Sequence, residues 1–201
     1  MLIKLLMGLS FALFSFNALP NDAKQAQQII EDTAIQIKAK MADEAFAKDF
    51  KKVTVYIDGL IETHTDFELI SSLVLGKLWK EATDSQKLSF QNEFRKLLVR
   101  TYSRTFMEIK DWSINYLPMI PQNNEKKLII KTQVLQSGQK PISLDYRMLK
   151  VGEQWKIYDL IIEGVSLVTN YRTIFKNENE KAKSLDSIIE DLKIKNLNAL
   201  K

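Results

Sequence analysis

The sequence predicts an α+β fold, in which a curved antiparallel sheet of about four strands is covered by N- and C-terminal helices and encloses an apolar cavity. Apolar residues recur at helical spacing at both ends of the chain, and strand-like segments lie between them. Glycine (6) and proline (4) are scarce, which indicates long regular elements and few loops. Residues 155–162 are apolar on both faces, so this strand requires cover on both sides, or an apolar ligand on one.

Residues 1–18 have the order of a secretory signal peptide. Lys4 supplies a positive charge, residues 5–16 form an apolar run, and Ala18 precedes a polar segment that begins at Asn21. The apolar run is too short for a good membrane span, although an uncleaved signal anchor is the alternative interpretation. We therefore expect an exported protein whose residues 19–201 form a single domain.

The charge and the cysteine content exclude several function classes. The net charge is +4, and basic and acidic residues are interspersed, which argues against a dedicated nucleic-acid surface. A modest attraction to anionic membranes or acidic partners is left open. The chain has no cysteine, so it forms no disulfide, no thiolate nucleophile and no cysteine-based zinc site.

Helical patterns precede the strands. Residues 22–63 predict two helices, the second over residues 46–61, and Asp66 begins another. Thr83 and Gln86 have the spacing of a capping box, which predicts the start of a long helix. One face of this long helix is apolar, with Phe90, Phe94, Leu97, Leu98, Tyr102, Phe106 and Ile109 at helical spacing.

Strands follow in hairpin order. Residues 112–117, 127–135, 141–149 and 155–162 predict an antiparallel meander. Helices are then expected over residues 166–175 and 185–197. This order of elements is typical of helices packed on one face of a curved sheet.

Signals for catalysis are poor. His64 is the only histidine and lies in a polar link, which predicts a surface position. Asp145, Asp159 and Glu163 lie on or beside strands, where we expect them to pair with Arg147 or Arg172 or to form hydrogen bonds at the sheet end. The apolar stripes alone fit a packed core and a ligand pocket equally well, because both need the same residue types.

Several ordered motifs resemble the MlaC family of periplasmic phospholipid-binding proteins, also described as Ttg2-type toluene-tolerance auxiliary proteins. The longest matching stretch runs over residues 158–168 and continues through residues 170–172. Residues 74–79 and 98–102 match the central helices of the family in order and spacing. The resemblance covers about residues 45–200.

This resemblance implies a periplasmic phospholipid carrier that is a monomer and not an enzyme. In the family, the acyl chains lie between sheet and helices, and the headgroup is left in solvent. Lipid is exchanged between an outer-membrane lipoprotein–porin complex and an inner-membrane ABC transporter with an MCE-domain subunit, which maintains outer-membrane lipid asymmetry. No catalytic residue, metal or cofactor is expected, with phospholipid as cargo.

Periodicity and motif position together give a candidate lipid-binding wall. Its predicted members are Leu75, Phe94, Leu98, Tyr102 and Phe106 from the helices and Ile142, Leu144, Tyr146, Ile161 and Val165 from the sheet side. Arg100 or Arg172 is a candidate for contact with a phosphate. Two other classes remain open: a small-molecule enzyme or binding domain on a cone-shaped α+β fold, and an accessory protein with a filled core.

Export is the first testable prediction. The mature protein is expected to begin near Leu19, because Ala18 ends the signal-like segment. Intact mass and N-terminal sequencing of protein from the periplasm measure this directly. Recovery of the full-length chain from the cytosol would contradict it.

Overall fold

A computed structural model describes residues 21–109, 111–118, 124–180 and 184–199. The predicted signal peptide lies outside these residues. The helices are α1 (Asn21–Met41), α2 (Glu44–Ala47), α3 (Phe50–Glu62), α4 (Phe67–Leu75), α5 (Lys77–Glu81), α6 (Asp84–Glu108), α7 (Leu167–Glu180) and α8 (Leu185–Asn198). The strands are β1 (Trp112–Tyr116), β2 (Lys127–Gln136), β3 (Ile142–Val151), β4 (Gln154–Ile162) and β5 (Val165–Ser166). The predicted α+β class is confirmed.

Helix starts follow local capping chemistry. The capping box predicted at Thr83 and Gln86 opens α6 and satisfies backbone groups at its first turn. Asp43 caps α2 and Asp49 caps α3 by accepting backbone hydrogen bonds, so the expected second helix is divided into two. Aspartates therefore set helix starts that apolar periodicity alone does not show.

The sheet is an open antiparallel meander in the order β1-β2-β3-β4-β5, one strand more than expected. The extra strand, β5, pairs with the end of β4 across the Glu163–Gly164 turn. A register shift between Arg147 and Met148 interrupts the β3–β4 pairing and bends the sheet locally. The sheet is therefore curved where it faces the helices.

Three regions of core, one of them around Trp112, hold the helices and the sheet in place. An aromatic core joins α4, α6, α7 and α8, with Phe90, Phe94 and Phe175 at ring-centroid distances of 5.2–5.7 Å. Against the sheet, α1 packs Ala26 and Ile30 onto Met148 and its neighbours. None of the helices within the described ranges combines the length and apolarity that crossing a bilayer requires.

Backbone hydrogen bonds attach strand β4 to the link between α3 and α4. The Ile157 amide donates to the His64 carbonyl at 2.8 Å, and the Asp66 amide donates to the Ile157 carbonyl at 2.9 Å. At the opposite edge of the sheet, in strand β1, the Lys38 ammonium of α1 donates to the Trp112 carbonyl at 3.0 Å. These contacts fix the helices and the sheet relative to each other around the space between them.

Gly76 separates α4 from α5 in a conformation that requires glycine. Its φ of 57° and ψ of −107° are unfavourable for residues with a side chain, and an added Cβ would lie 3.2 Å from a guanidinium nitrogen of Arg172. We expect Gly76→Ala to lower the free energy of unfolding by about 1–3 kcal/mol. Urea denaturation followed by circular dichroism measures the change.

Gly59 is the matched control for this substitution. It lies inside α3, and an added Cβ would meet no atom within 4 Å. Gly59→Ala should raise the free energy of unfolding by about 0.5–1 kcal/mol, because alanine loses less backbone entropy in a helix. Equal effects of the two substitutions would show that Gly76 is not conformationally required.

Candidate functional site

A cavity of about 430 Å³ lies between the sheet and the helices. The sheet side of its wall is formed by Trp112, Ile114, Val134, Ile142, Leu144, Tyr146, Ile157, Asp159, Leu160 and Ile162. The helix side is formed by residues of α1, α3, α4, α6 and the first turn of α7. The wall is overwhelmingly apolar, and its volume falls within the range of small-molecule binding sites.

Helix α6 supplies the longest continuous part of the wall. Its apolar residues recur at three- and four-residue intervals, so they face the cavity along one side of the helix. They are Phe94, Leu98, Val99, Tyr102, Phe106 and, just after the helix end, Ile109. Fifteen residues of helical rise from Phe94 to Ile109 correspond to about 22 Å. The cavity is therefore elongated along α6.

The two ends of the cavity differ in polarity. At one end, Trp112 packs with Ile114, Phe106 and Ile109 in an apolar cluster. At the other end, His64 and Thr65 line the wall where the α3–α4 link pairs with Ile157. Ile142 of β3 lies near the Trp112 end, and Met148 pairs with Ile157 near the His64 end. The six residue steps between them correspond to about 20 Å along the strand.

Asp159 is a buried carboxylate at the edge of the cavity. It is 4% exposed and accepts hydrogen bonds from the Ser166 hydroxyl at 2.7 Å and from the Val168 amide at 3.0 Å. The Arg147 guanidinium donates to the same oxygen as Ser166, at 3.1 Å. Its oxygens thus hold the start of α7 against β4, which matches the expected structural role.

Glu163, Arg100 and Arg172 also lie where they contact other parts of the fold. The Glu163 carboxylate accepts a hydrogen bond from the Ser143 amide at the end of the sheet. Arg172 is exposed beside Gly76, and the Arg100 guanidinium donates to the Lys195 carbonyl of α8 at 2.7 Å. Neither arginine lines the cavity.

The shifted pKa values of His64, Tyr102 and Tyr146 on the wall favour the neutral form of each side chain. Burial lowers the pKa of His64, the Lys156 ammonium adds to this effect, and Asp32 opposes it. Burial raises the pKa of Tyr102 to about 12 and that of Tyr146 well above its usual range. Across the described parts of the chain, no group of three or more metal-ligating side chains comes together.

Seven of the ten predicted wall residues lie on the cavity, and three do not. Those on the wall are Phe94, Leu98, Tyr102, Phe106, Ile142, Leu144 and Tyr146. Leu75 packs in the aromatic core and does not line the cavity. Ile161 points to the opposite side of β4 from Leu160 and Ile162, because strand residues alternate. Val165 lies beyond the β4–β5 turn and is 60% exposed.

The sequence predicts a surface position for His64, and the structure places this residue on the cavity wall with part of its surface exposed. The imidazole is partly buried because backbone pairing with Ile157 places the link against the cavity. The wall residues of α1 were not predicted as ligand contacts, although Ile29, Thr33 and Ile37 have helical spacing. Their spacing predicts an amphipathic helix, but it does not distinguish an apolar face that packs in a core from one that lines a cavity.

Comparisons with known proteins agree with this architecture. Toluene tolerance protein ttg2D of Pseudomonas putida is 21% identical over 187 residues, which cover 89% of this chain and 86% of that protein. A solved phospholipid-binding protein from Ralstonia solanacearum, in complex with a phospholipid, superposes with a TM-score of 0.80 at 24% identity. The alignment covers 90% of this chain and all of that one, which establishes a common fold. A family model described as MlaC protein matches residues 31–194, and this chain therefore belongs to the MlaC family.

Proposed function

We propose that this protein is a periplasmic carrier that holds the acyl chains of a phospholipid in the cavity. The apolar wall around 430 Å³ of space is the observation that carries this proposal. The carrier exchanges lipid between an outer-membrane lipoprotein–porin complex and an inner-membrane ABC transporter with an MCE-domain subunit. This exchange of lipid maintains the lipid asymmetry of the outer membrane.

The energetics of the cavity favour an apolar occupant. Without an occupant, the apolar side chains of this wall face water or empty space, which is unfavourable. A lipid chain gains in turn about 0.8 kcal/mol for each methylene removed from water. Acyl chains in the cavity therefore bury apolar surface of both the protein and the lipid, which stabilises the complex.

The relatives support the same ligand class. The Ralstonia solanacearum protein, which shares the fold, is described in complex with a phospholipid. Membership of the MlaC family and the signal-like N-terminus support a periplasmic site of action. Binding and release of a lipid require an apolar slot and access to water, so the proposed activity needs neither metal nor cofactor.

An enzyme on the same fold is the alternative, and the surroundings of Asp159 argue against it. Both carboxylate oxygens already accept hydrogen bonds from groups that position α7. A general acid or base needs a free path to a substrate proton, and here the neighbouring Ser166 hydroxyl itself donates a hydrogen bond to Asp159. We therefore infer that Asp159 positions the wall of the cavity.

Leu144→Glu is the direct test of lipid binding. The substitution places a carboxylate on the wall, where burial beside acyl chains costs about 3 kcal/mol. We expect more than tenfold less phospholipid to co-purify with this variant than with the wild type. Native mass spectrometry of protein purified from a bacterial host measures the bound lipid.

Val165→Glu is the matched control, because Val165 is 60% exposed and lies off the cavity wall. This variant should retain the wild-type amount of lipid, and circular dichroism should show that both variants are folded. Wild-type lipid content in folded Leu144→Glu protein, or no lipid in the wild type, would overturn the proposal.

Asp159→Asn separates a structural carboxylate from a catalytic one. The amide cannot accept all the hydrogen bonds from Ser166, Val168 and Arg147, so we expect a loss of about 1–3 kcal/mol in unfolding free energy. Lipids recovered after incubation should have unchanged masses in wild type and variant. Altered lipid products that disappear in this variant, at unchanged stability, would support the enzyme alternative.

A further inference from the structure

Two arginines of α6 lie one helical turn apart with no acid to offset their charges. Within the described residues neither Arg100 nor Arg104 forms an ion pair, and this includes Glu108, one turn beyond Arg104. Burial lowers the pKa of Arg100, the charge of Arg104 adds to this effect, and Tyr171 opposes it. Like charges at this spacing on a helix repel each other. An anion supplied from outside the fold would relieve that repulsion.

Both guanidinium groups are held in place by other helices. Arg100 donates to the Lys195 carbonyl near the end of α8 at 2.7 Å. The Arg104 guanidinium lies over the Phe50 ring at the start of α3, 4.9 Å from its centroid. Less side-chain freedom is therefore lost when an anion binds them. The Lys195 side chain is exposed and forms no ion pair within the described residues. Arg100, Arg104 and Lys195 together are the basic face of the helices.

Three acids close to the basic face are already engaged. Glu93 accepts a hydrogen bond from the Lys96 ammonium at 2.6 Å. Glu190 pairs with Lys193 at 3.5 Å. Asp191, one turn before the lysine of the basic face, also has an interaction partner. The cations of the basic face are therefore left for a partner with negative charge.

Exposed aliphatic side chains adjoin the basic face on α8. Ile194 is 47% exposed and Leu197 is 57% exposed, and both lie within two residues of Lys195. Apolar residues beside cations on a surface helix are typical of binding to an anionic bilayer, because the cations meet lipid phosphates and the aliphatic groups leave water. An acidic protein segment would pair with the cations but would not require the aliphatic groups. The combination favours a lipid surface.

We propose that the basic face, together with Ile194 and Leu197, docks the protein onto a bilayer that contains anionic phospholipid. This inference goes beyond the proposed function, because it concerns the outer surface and does not depend on what the cavity holds. The guanidinium and ammonium groups donate hydrogen bonds to lipid phosphates. The two aliphatic side chains insert between the headgroups.

Docking in this way brings an opening of the cavity close to the bilayer. Thr105 follows Arg104 on α6, is exposed and also lines the cavity, so the cavity reaches the surface beside the basic face. For the carrier function proposed above, a lipid that moves between cavity and bilayer would cross little water. Its acyl chains would then be exposed to water only briefly, which lowers the cost of transfer.

Charge reversal tests the basic face. Arg104→Glu combined with Lys195→Glu reverses two of its cations and leaves the Arg100 side chain in place. Flotation with vesicles of phosphatidylcholine and phosphatidylglycerol in equal parts measures binding at about 0.1 M salt, where the Debye length is about 10 Å. We expect this double variant to bind about tenfold more weakly than wild type or less. The neutral pair Arg104→Gln and Lys195→Gln should give an intermediate loss.

Lys127→Glu combined with Lys131→Glu is the matched control for charge. Both lysines are exposed on β2, away from the basic face, and this double variant has the same net charge as the first. It should bind the anionic vesicles within about threefold of wild type. Equal weakening by the two charge reversals would show that net charge alone governs binding and would overturn the docking face. Wild-type binding after reversal of the basic face would overturn it as well.

The aliphatic pair separates a bilayer from an acidic protein as the occupant. Ile194→Ser combined with Leu197→Ser should weaken binding to the anionic vesicles about fivefold. Ile35→Ser combined with Val55→Ser, at exposed positions of α1 and α3, should leave it unchanged. Poly-glutamate at matched charge should leave most of the protein on the vesicles. Complete displacement by poly-glutamate, or unchanged binding without the aliphatic pair, would assign the face to an acidic protein and contradict the proposal.

Lipid content keeps this test separate from that of the proposed function. All of these double variants should be folded and retain the wild-type amount of co-purifying phospholipid, because their substitutions lie off the cavity wall. Leu144→Glu should still bind anionic vesicles, since its basic face is unchanged. Loss of vesicle binding in folded Leu144→Glu protein would show that vesicles are bound through the cavity, which would overturn docking. A wild type that binds vesicles but carries no lipid would contradict the proposed function alone.

Discussion

The attachment of β4 to the helices is the constraint on which the cavity depends. Ile157 pairs with the α3–α4 link, and Asp159 fixes the start of α7 a few residues further along the same strand. These contacts hold one side of the sheet close to the helices. The register shift after Arg147 bends the sheet locally, and residues of α1 and α6 line the space in front of it. The cavity follows from a sheet that is fixed along one strand and curved elsewhere.

Packed core and ligand space are separated along the same helix. Near its start, α6 buries Phe90 completely among aromatic residues of α7 and residues of α8. Further along, Tyr102 and Phe106 face the cavity. The filled part supplies stability that does not depend on cargo. The proposed carrier function would need this division, because a carrier must remain folded when its ligand has left.

Local signals in the sequence predict most of the architecture. The capping box at Thr83, the apolar stripe of α6 and the alternation of residues along β3 all act over a few residues, so they can be read directly. Seven of the proposed wall residues follow from such patterns. The position of His64 does not, because it results from pairing with Ile157, nearly a hundred residues later in the chain. Val165 is exposed for a local reason, since the left-handed conformation of Glu163 and Gly164 turns the chain just before it.

The hydrogen bond from Lys38 to the edge strand β1 affects how copies of the protein can associate. Strand β1 ends the sheet, and an unpaired edge offers carbonyl and amide groups to the strands of other molecules. The Lys38 ammonium occupies the Trp112 carbonyl and places a positive charge against the edge. A second chain that approached to extend the sheet would have to displace that ammonium. The same lysine that holds α1 against β1 thereby disfavours fibre-like association between copies.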